Sequence, residues 1–309
     1  MQPLISICIP AYRRVGNLKI LLDCMSKQTY EKIEVVITDD SGIDNAVFDF
    51  LNSSLFPFKI NYYKNPDPLG SPRNWLFAIS LAKGDWVKIM HDDDYFSSPT
   101  SLQEFVDEIS DDVDCLFSGY TAVYDDGKTI NKTISGSKFQ RFLTQPFSLF
   151  AENIIGPPSV MMFKKCIVES FDERLKWIVD WEYYIRLALK YKLKYISKSL
   201  ICVGYNETQI TNSCFLNPEV EIPETLIFTN KYGNSLFKNI LAYDAWWRLL
   251  RNLGFRKAEQ LTDYSKKILI NENVFRMIHF QSYIKPFFLN IGFVSKIIML
   301  ISYLFNRKE

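Results

Sequence analysis

Four short apolar runs, each closed by a polar turn, most constrain what this 309-residue chain can fold into. Leu4-Ile5-Ser6-Ile7-Cys8-Ile9 is stopped by Pro10, and the turn Tyr12-Arg13-Arg14 leads into a helical pattern through Leu18, Leu21, Leu22 and Met25. Ile33-Glu34-Val35-Val36-Ile37 ends in Asp39-Asp40-Ser41-Gly42, and Phe58 to Tyr63 leads to Asn65. After Gly70-Ser71-Pro72-Arg73-Asn74 the spacing predicts a helix from Trp75 to Ala82, and the fourth run, Trp86-Val87-Lys88-Ile89-Met90, follows. Runs of this kind suit strands buried on both faces, and their alternation with helices predicts a largely parallel α/β sheet. Ligands of such sheets bind beyond the carboxyl ends of the strands, where Tyr12, Asp39, Arg73 and the triplet Asp92-Asp93-Asp94 all fall.

The triplet carries the chemistry. Three successive carboxylates repel one another and raise one another's pKa, so they are tolerated where water or a divalent cation compensates the charge. Oxygen ligands of this kind suit Mg²⁺ or Mn²⁺. Acidic triplets also occur as solvated loops, so the surrounding motifs decide the reading.

Those motifs, over roughly the first two thirds of the chain, resemble the family-2 glycosyltransferases of the GT-A fold. Pro10-Ala11-Tyr12-Arg13-Arg14 resembles the family's opening Pro-x-Tyr-Asn-Arg, and Thr38-Asp39-Asp40-Ser41-Gly42-Ile43-Asp44 its Ser-Asp-Asp-Gly-Ser-x-Asp turn. Gly70-x-x-Arg73-Asn74 matches Gly-x-x-Arg-Asn, and Gly84-Asp85-Trp86-Val87 with the triplet resembles the strand that carries the DXD motif. Val179-Asp180-Trp181-Glu182 resembles the Glu-Asp-x-Glu element. Three positions depart from the pattern: Arg13 stands where the family has Asn, Ser41-Gly42 inverts Gly-Ser, and His91 holds the place of the first Asp of Leu-Asp-x-Asp-Asp.

The resemblance implies an α/β GT-A fold, a mixed, mostly parallel sheet flanked by helices, with a helical C-terminal extension. It implies a nucleotide-sugar donor, a Mn²⁺ or Mg²⁺ cofactor and inversion at the anomeric carbon. Aligning the strand makes Asp93 the metal ligand, with Asp92 towards the ribose and Asp94 a supporting or alternative ligand. Reading the letters literally as Asp-x-Asp gives Asp92 and Asp94 instead. His91 is either a ligand through neutral imidazole or a strand-end residue packed behind the metal. Tyr12 offers a stacking face for the base, Asp39 an acceptor for a base N–H, and Arg73 a fixed charge near the phosphates, while Pro10 and Arg14 shape the same loop.

Asp180 is the candidate general base, at the start of a helix whose N-terminus favours the carboxylate and lowers its basicity unless burial raises it again. A plain N-cap is the competing role. Glu182 orients Asp180, touches the acceptor, or is a solvated helix charge. Gly156-Pro157-Pro158-Ser159 resembles an acceptor-side loop and reads equally as the turn before a strand. Gln209, Thr211, Asn212 and Ser213 form a polar stretch in the region where related enzymes close over the donor, although a plain loop accounts for them. His279, in the helical tail, reads as structural, with a metal-ligand role as the alternative.

Between residues 95 and 221 the sequence predicts a helix from Leu102 to Ile109, a strand at 114–118, a hairpin of 120–124 with 128–134, a helix from Ser137 to Glu152 and a strand at 160–163. Long helical periodicity from about 222 divides the chain into a nucleotide-sugar-binding and catalytic domain, 1–221, and a helical region, 222–309. Within that region Phe287 to Phe305 is strongly apolar but interrupted by Asn290, Gly292, Ser295 and Lys296, short of a membrane span. An interfacial helix, with Lys285, Lys296, Arg307 and Lys308 near anionic headgroups, and a packed helix are the two expectations.

Basic and acidic side chains number 36 and 35, which argues against a dedicated nucleic-acid binder. Six scattered cysteines without a Cys-x-x-Cys pair read as reduced core residues. With Met1 three residues before the first strand, they point to the cytoplasm, with peripheral contact at the inner membrane face, and make the sequons at Asn52, Asn131 and Asn206 chance occurrences. The expected activity is therefore metal-dependent, inverting transfer of a sugar to a glycan, such as a lipid-linked oligosaccharide in O-antigen-like surface polysaccharide assembly. A metal-dependent nucleotidyl or phosphoryl transferase, disfavoured by the lack of a P-loop, and a non-catalytic nucleotide- or glycan-binding subunit are the alternatives.

Overall fold

The computed structural model describes residues 2–167, 169–205 and 213–306. Gln209, Thr211, Asn212, Arg307, Lys308 and the sequon at Asn206 lie outside them. The chain forms two compact units: Met1–Leu143 with Ile154–Glu173 and Arg186–Glu207, and Thr144–Asn153 with Arg174–Ile185 and Thr208–Glu309.

The first unit is built on a nine-stranded sheet. Its strands are β1 (Ile5–Ala11), β2 (Ile33–Asp39), β3 (Ile60–Lys64), β4 (Trp86–Ile89), β5 (Asp94–Phe96), β6 (Cys115–Tyr124), β7 (Thr129–Lys132), β8 (Met161–Lys164) and β9 (Leu193–Tyr205). They lie in the order β3-β2-β1-β4-β8-β6-β9-β5, with β7 paired to β6. The β3-β2-β1-β4 segment is parallel throughout, as the alternating pattern requires. Beyond it β8 runs antiparallel to both β4 and β6, and β5 antiparallel to β9.

β1 sits between two parallel neighbours, so Ile5, Ile7, Cys8 and Ile9 are all fully buried. Each such aliphatic side chain stabilises the fold by roughly 1.5–3 kcal/mol. Helix α1 (Val15–Met25) buries Leu18, Leu21, Leu22 and Met25, the stripe expected from its period. α3 (Arg73–Leu81) and α4 (Ser101–Asp107) lie where the sequence pattern anticipates helices, and α2 (Ala46–Asn52) is a helix that it does not anticipate.

Three segments differ from expectation. The predicted strand at 114–118 and first hairpin arm are one strand, β6, which continues through Gly119 with a local shift of register against β9. The predicted helix 137–152 breaks at Gln145-Pro146 into α5 (Gly136–Thr144) and a 3₁₀ turn, Pro146–Phe150, because a proline cannot donate to the preceding turn. The acidic triplet does not simply hang from β4: Asp94 opens β5, whose pairing with β9 fixes it in the sheet.

Among the described residues the regular elements of the second unit are helices and one 3₁₀ turn. It contains the first turns of α6 (Val179–Lys190), then α7 (Pro218–Tyr232), α8 (Asn234–Phe237), α9 (Ile240–Asn252), α10 (Ala258–Tyr264), α11 (Glu272–Ser282), α12 (Pro286–Asn290) and α13 (Gly292–Asn306). Trp246 and Trp247 of α9 are fully buried at its centre, with their indole N–H groups donating to Thr229 Oγ1 (2.9 Å) and Ser295 Oγ (3.1 Å). A buried indole thus keeps its one donor satisfied.

Candidate active site

The carboxyl ends of β1, β2 and β4 bring the Tyr12 loop, the Asp39-Asp40 turn and the Asp triplet to one edge of the sheet. Asp92 ties β1 to β4: its Oδ2 accepts the Tyr12 N–H at 2.9 Å. Arg13 adopts a left-handed φ of 58°, a conformation asparagine tolerates better than most side chains, which accounts for the asparagine usual at this position. Its N–H donates to Ser41 Oγ (2.9 Å), and Gly42 takes a φ of 62° without steric cost. The inverted Ser-Gly order thus supplies a hydroxyl to one turn and a left-handed residue to the other. Tyr12 remains about half exposed, its ring covered on one side by the Arg13 guanidinium at 5.0 Å.

The two aspartates of the β2 turn do different work. Asp39 is fully buried and accepts from Ser41 N–H (2.9 Å) and Tyr62 O–H (2.8 Å), so each carboxylate oxygen already has a partner. Asp40 accepts from Asn65 Nδ2 (2.7 Å), Leu69 N–H (2.9 Å) and Gly70 N–H (2.7 Å), holding the loop that leads to α3. Asn74 completes that bracket by donating to Thr38 O (3.0 Å). Arg73 points to solvent and pairs with Glu173 at 2.7 Å, an exposed ion pair.

Around the triplet, burial and charge oppose each other. Arg14 forms an ion pair with Asp93 and lies 3.7 Å from Asp92. Burial pushes the Asp92 carboxyl up to about 7, with the Tyr12 N–H opposing the shift. Burial, and then the neighbouring Asp93, also hold Asp94 well above the usual carboxylate range. Asp94 accepts from the Gly204 N–H (3.3 Å) and from the Ser159 hydroxyl, and Ser159 Oγ in turn accepts the His91 N–H (3.0 Å). β9 can approach this closely because residue 204 is glycine: a Cβ there would lie 2.8 Å from the Asp93 carbonyl oxygen. Beneath the turn the fully buried Lys88 donates to Ser159 O and Ile89 O and faces the Phe105 ring at 5.1 Å. Burial brings its ammonium down to about 7, against the opposing pull of Asp94.

His91 packs on Trp75 with ring centroids 4.8 Å apart, and its buried Nε2 has no hydrogen-bond partner. Burial lowers its pKa to about 4, so the imidazole is neutral at pH 7 and keeps a lone pair. Ligand atoms of His91, Asp93 and Asp94 lie within 4.8 Å of one another. The ring nitrogen that faces Asp94 is Nδ1, 3.9 Å from its Oδ2. A neutral imidazole with two carboxylates is a donor set that fits Mn²⁺, and it is the only such group of three among the described residues. On the same flank Tyr120 and Tyr205 meet hydroxyl to hydroxyl at 3.4 Å, and the Tyr124 ring lies tilted against Tyr205 with centroids 5.1 Å apart. Burial raises the Tyr120 and Tyr205 hydroxyls, and the Asp94 charge adds to the shift.

In the second unit Asp180 is the second residue of α6, inside the first turn and not at the N-cap position. Its Oδ2 accepts from Asn153 Nδ2 (3.0 Å) and its Oδ1 from Trp181 N–H (2.9 Å). Desolvation outweighs these donors and pushes the carboxyl up to about 7. The approach to α6 is capped instead by Glu224 of α7, whose carboxylate accepts from the N–H groups of Lys176 (2.9 Å), Trp177 (2.8 Å) and Ile178 (3.0 Å). Glu182 is fully buried, paired with Lys231 at 2.6 Å and with Tyr232 O–H at 3.2 Å, which rules out a solvated helix charge. His279 is exposed on α11, its ring nitrogen 3.3 Å from Tyr283 Oη.

Sequence reading gave no role to Lys88, Glu224 or the three tyrosines, and it did not connect Ser159 with the triplet. None of these residues has a spacing that points to its partners. The Gly-Pro-Pro-Ser turn was the one available signal for Ser159.

Residues 6–171 match the family described as Glycosyl transferase family 2. Abequosyltransferase RfbV of Salmonella typhimurium is 36% identical over 116 residues, 35% of this chain and 34% of its own length. Among solved structures, S. aureus TarS in complex with UDP-GlcNAc superposes with a TM-score of 0.58 at 14% identity, covering 99% of this chain and 92% of its own. Mannosyltransferase PcManGT from Pyrobaculum calidifontis, in complex with GDP-Man and Mn²⁺, gives 0.57 at 15% identity, covering 99% and 88%. Both likenesses carry the GT-A fold. The fold and the acidic turn at its sheet edge are those of a nucleotide-binding α/β protein, and the family match decides the class: the chain belongs to glycosyl transferase family 2 and is a glycosyltransferase.

Proposed function

We propose that this glycosyltransferase moves one sugar, with inversion, from a nucleotide-sugar donor to a glycan acceptor, using a divalent cation held by Asp93, Asp94 and His91. The observation that carries the metal reading is the cluster of those three side chains, whose ligand atoms lie within 4.8 Å of one another, with the imidazole neutral. The Mn²⁺ and GDP-Man in the complex of the archaeal mannosyltransferase support it. A bound cation neutralises the charge that builds on the departing diphosphate.

The chain's own residues do the rest. Tyr12 stacks on the base, and the Asp39-Asp40 turn shapes the base pocket. Asp92 holds the Tyr12 loop and faces the ribose. Arg14 is bound to Asp93 in the structure, and its guanidinium would turn to the phosphates if that carboxylate held a cation instead. Tyr120, Tyr124 and Tyr205, beside Asp94, offer ring faces and hydroxyls to a sugar.

Asp180 takes the acceptor hydroxyl proton. A base poised near 7 combines an ionised fraction with real proton affinity, and burial holds Asp180 there. A water-facing aspartate would be too weak a base. The acceptor is a lipid-linked oligosaccharide of surface-polysaccharide assembly, and transfer takes place at the cytoplasmic membrane face. The stretch shared with the abequosyltransferase supports sugar transfer, and among the described residues no helix is long and apolar enough to cross a membrane.

Thermal unfolding in the presence of a panel of nucleotide sugars, each with and without Mn²⁺, tests the reading. One donor raises the melting temperature clearly, and chelation abolishes most of the gain. Equal protection with and without metal overturns the metal assignment, and protection by free phosphate compounds alone favours a phosphoryl transferase.

A further inference from the structure

α13 is more apolar outside than inside. Its inner face buries Ser295, Met299, Ser302 and Tyr303, and three of these make polar contacts. Ser295 Oγ accepts from Trp247, Ser302 Oγ and Tyr243 Oη lie 2.8 Å apart, and Tyr303 O–H donates to Lys238 O at 2.8 Å. Its outer face exposes Phe293, Ile297, Leu300, Ile301 and Leu304, spaced as one side of a helix, followed by Phe305. α12 extends the patch with Phe287 and Phe288. Phe287, Phe293 and Phe305 are 68%, 76% and 67% exposed, values far from those of a packed helix. A contiguous apolar patch of this size marks an interaction surface.

We propose that the outer face of α12 and α13 docks on an anionic lipid bilayer. The charge pattern selects this occupant. No Asp or Glu occurs between residues 273 and 308, whereas Arg276, Lys285, Lys296, Arg307 and Lys308 do. Lys285 and Lys296 are exposed beside the patch, without an ion-pair partner among the described residues. Pairing two copies of the face would bring these lysines together with no carboxylate opposite, while acidic headgroups neutralise them. At 15 residues α13 is about 22 Å long, too short to cross a bilayer but suited to lying in its interface. The inference deepens the lipid-linked-acceptor reading and rests on it for its place in the reaction; the measurement reads lipid binding alone.

Co-sedimentation of the full chain with phosphatidylglycerol-containing vesicles and with neutral phosphatidylcholine vesicles tests it. The wild type pellets with the anionic vesicles and about tenfold less with neutral ones. The exposed triple variant F293E/L300E/L304E, and separately K285E/K296E, lose most of that binding while melting temperature and nucleotide-sugar protection stay unchanged. Wild type in the supernatant, or variants that pellet as well as wild type, overturns the proposal. A dimer by light scattering that the triple variant dissociates also overturns it, assigning the face to a second copy. If the triple variant unfolds, the lysine pair alone decides. Loss of nucleotide-sugar protection in the wild type refutes the transfer reading, not the lipid one.

Discussion

The acidic turn after β4 and the acidic start of α6 both hold carboxyl groups that burial pushes well above their ordinary range, and they balance that cost differently. At the β4 turn neutral donors, the Tyr12 N–H on Asp92 and the Ser159 hydroxyl and Gly204 N–H on Asp94, are joined by cations, Arg14 on Asp92 and Asp93 and Lys88 behind Asp94. An imidazole nitrogen there is left without a partner. At α6 the donors around Asp180 are neutral, the Asn153 amide and the Trp181 N–H, while Glu224 caps the approach with three backbone bonds. A cluster of several negative groups with an open donor atom gains from an added cation. A single desolvated carboxyl held by neutral donors gains from a proton. On the proposed function the first of these regions would take the metal and the second the proton.

The difference can be broken most severely at Asp93. D93A should reduce turnover by roughly a thousandfold, the several kcal/mol expected when charge compensation at the leaving group is lost. Calorimetric titration with the cognate nucleoside diphosphate and Mn²⁺ should show metal-dependent affinity disappear. Unchanged metal dependence in D93A, with a large effect in D92A, would move the ligand to Asp92 and restore the literal Asp-x-Asp reading.

D180N is the counterpart in the second unit. Turnover should fall by roughly 10²- to 10⁴-fold with donor affinity preserved. In the wild type kcat should rise with pH through about 7 as the Asp180 carboxyl ionises. The stability trend has the opposite sign. The folded state holds this proton more tightly than the unfolded one, so the residue's contribution to stability falls as pH climbs from the ordinary value, 3.8, to about 7. In D180N the melting temperature should lose that part of its pH dependence. A kcat profile unaltered by the substitution would leave Asp180 a structural residue of the first turn.

S159A sharpens the comparison from below. Its hydroxyl serves both the His91 N–H and Asp94, so its removal should weaken Mn²⁺ binding by about 10- to 100-fold. It should also cost about 1–3 kcal/mol of stability through the unsatisfied His91 amide. Metal titration and chemical denaturation of the same protein separate the two effects. Intact metal affinity would show that Asp94 does not need the serine to hold its position.

The smallest effect is expected at Arg73, whose pair with Glu173 is exposed. R73A should change stability by less than about 1 kcal/mol. Donor titration decides its other role: a tenfold loss of affinity means that the guanidinium leaves Glu173 for the phosphates, and no loss leaves it a surface ion pair.

The parallel half of the sheet was legible because a strand buried on both faces is built on a short apolar run, as β1, β2 and β4 are around Ile7-Cys8-Ile9, Val35-Val36-Ile37 and Trp86-Val87. The motif turns were legible because their chemistry is local. β5 was not, since Asp94-Tyr95-Phe96 has no alternation and becomes a strand only through its pairing with Val203, Cys202 and Ile201. The sequence marks a change of character near residue 222, but the packing of 144–153 and 174–185 with the C-terminal helices joins segments too far apart for a pattern to connect.

By itself the sequence determined the alternation of strands and helices, the family motifs and the concentration of carboxylates at the sheet edge. Those properties follow from neighbours along the chain and from periodicities of two and 3.6 residues. Only the tertiary structure decided which carboxylates are buried, that Ser159 and Lys88 sit under Asp94, that Glu182 is paired while Asp180 is held by neutral donors, and that α13 turns its apolar side outward. Desolvation, pairing and exposure are set by groups that arrive from distant parts of the chain, and a side chain's charge state and accessibility belong to that assembled environment.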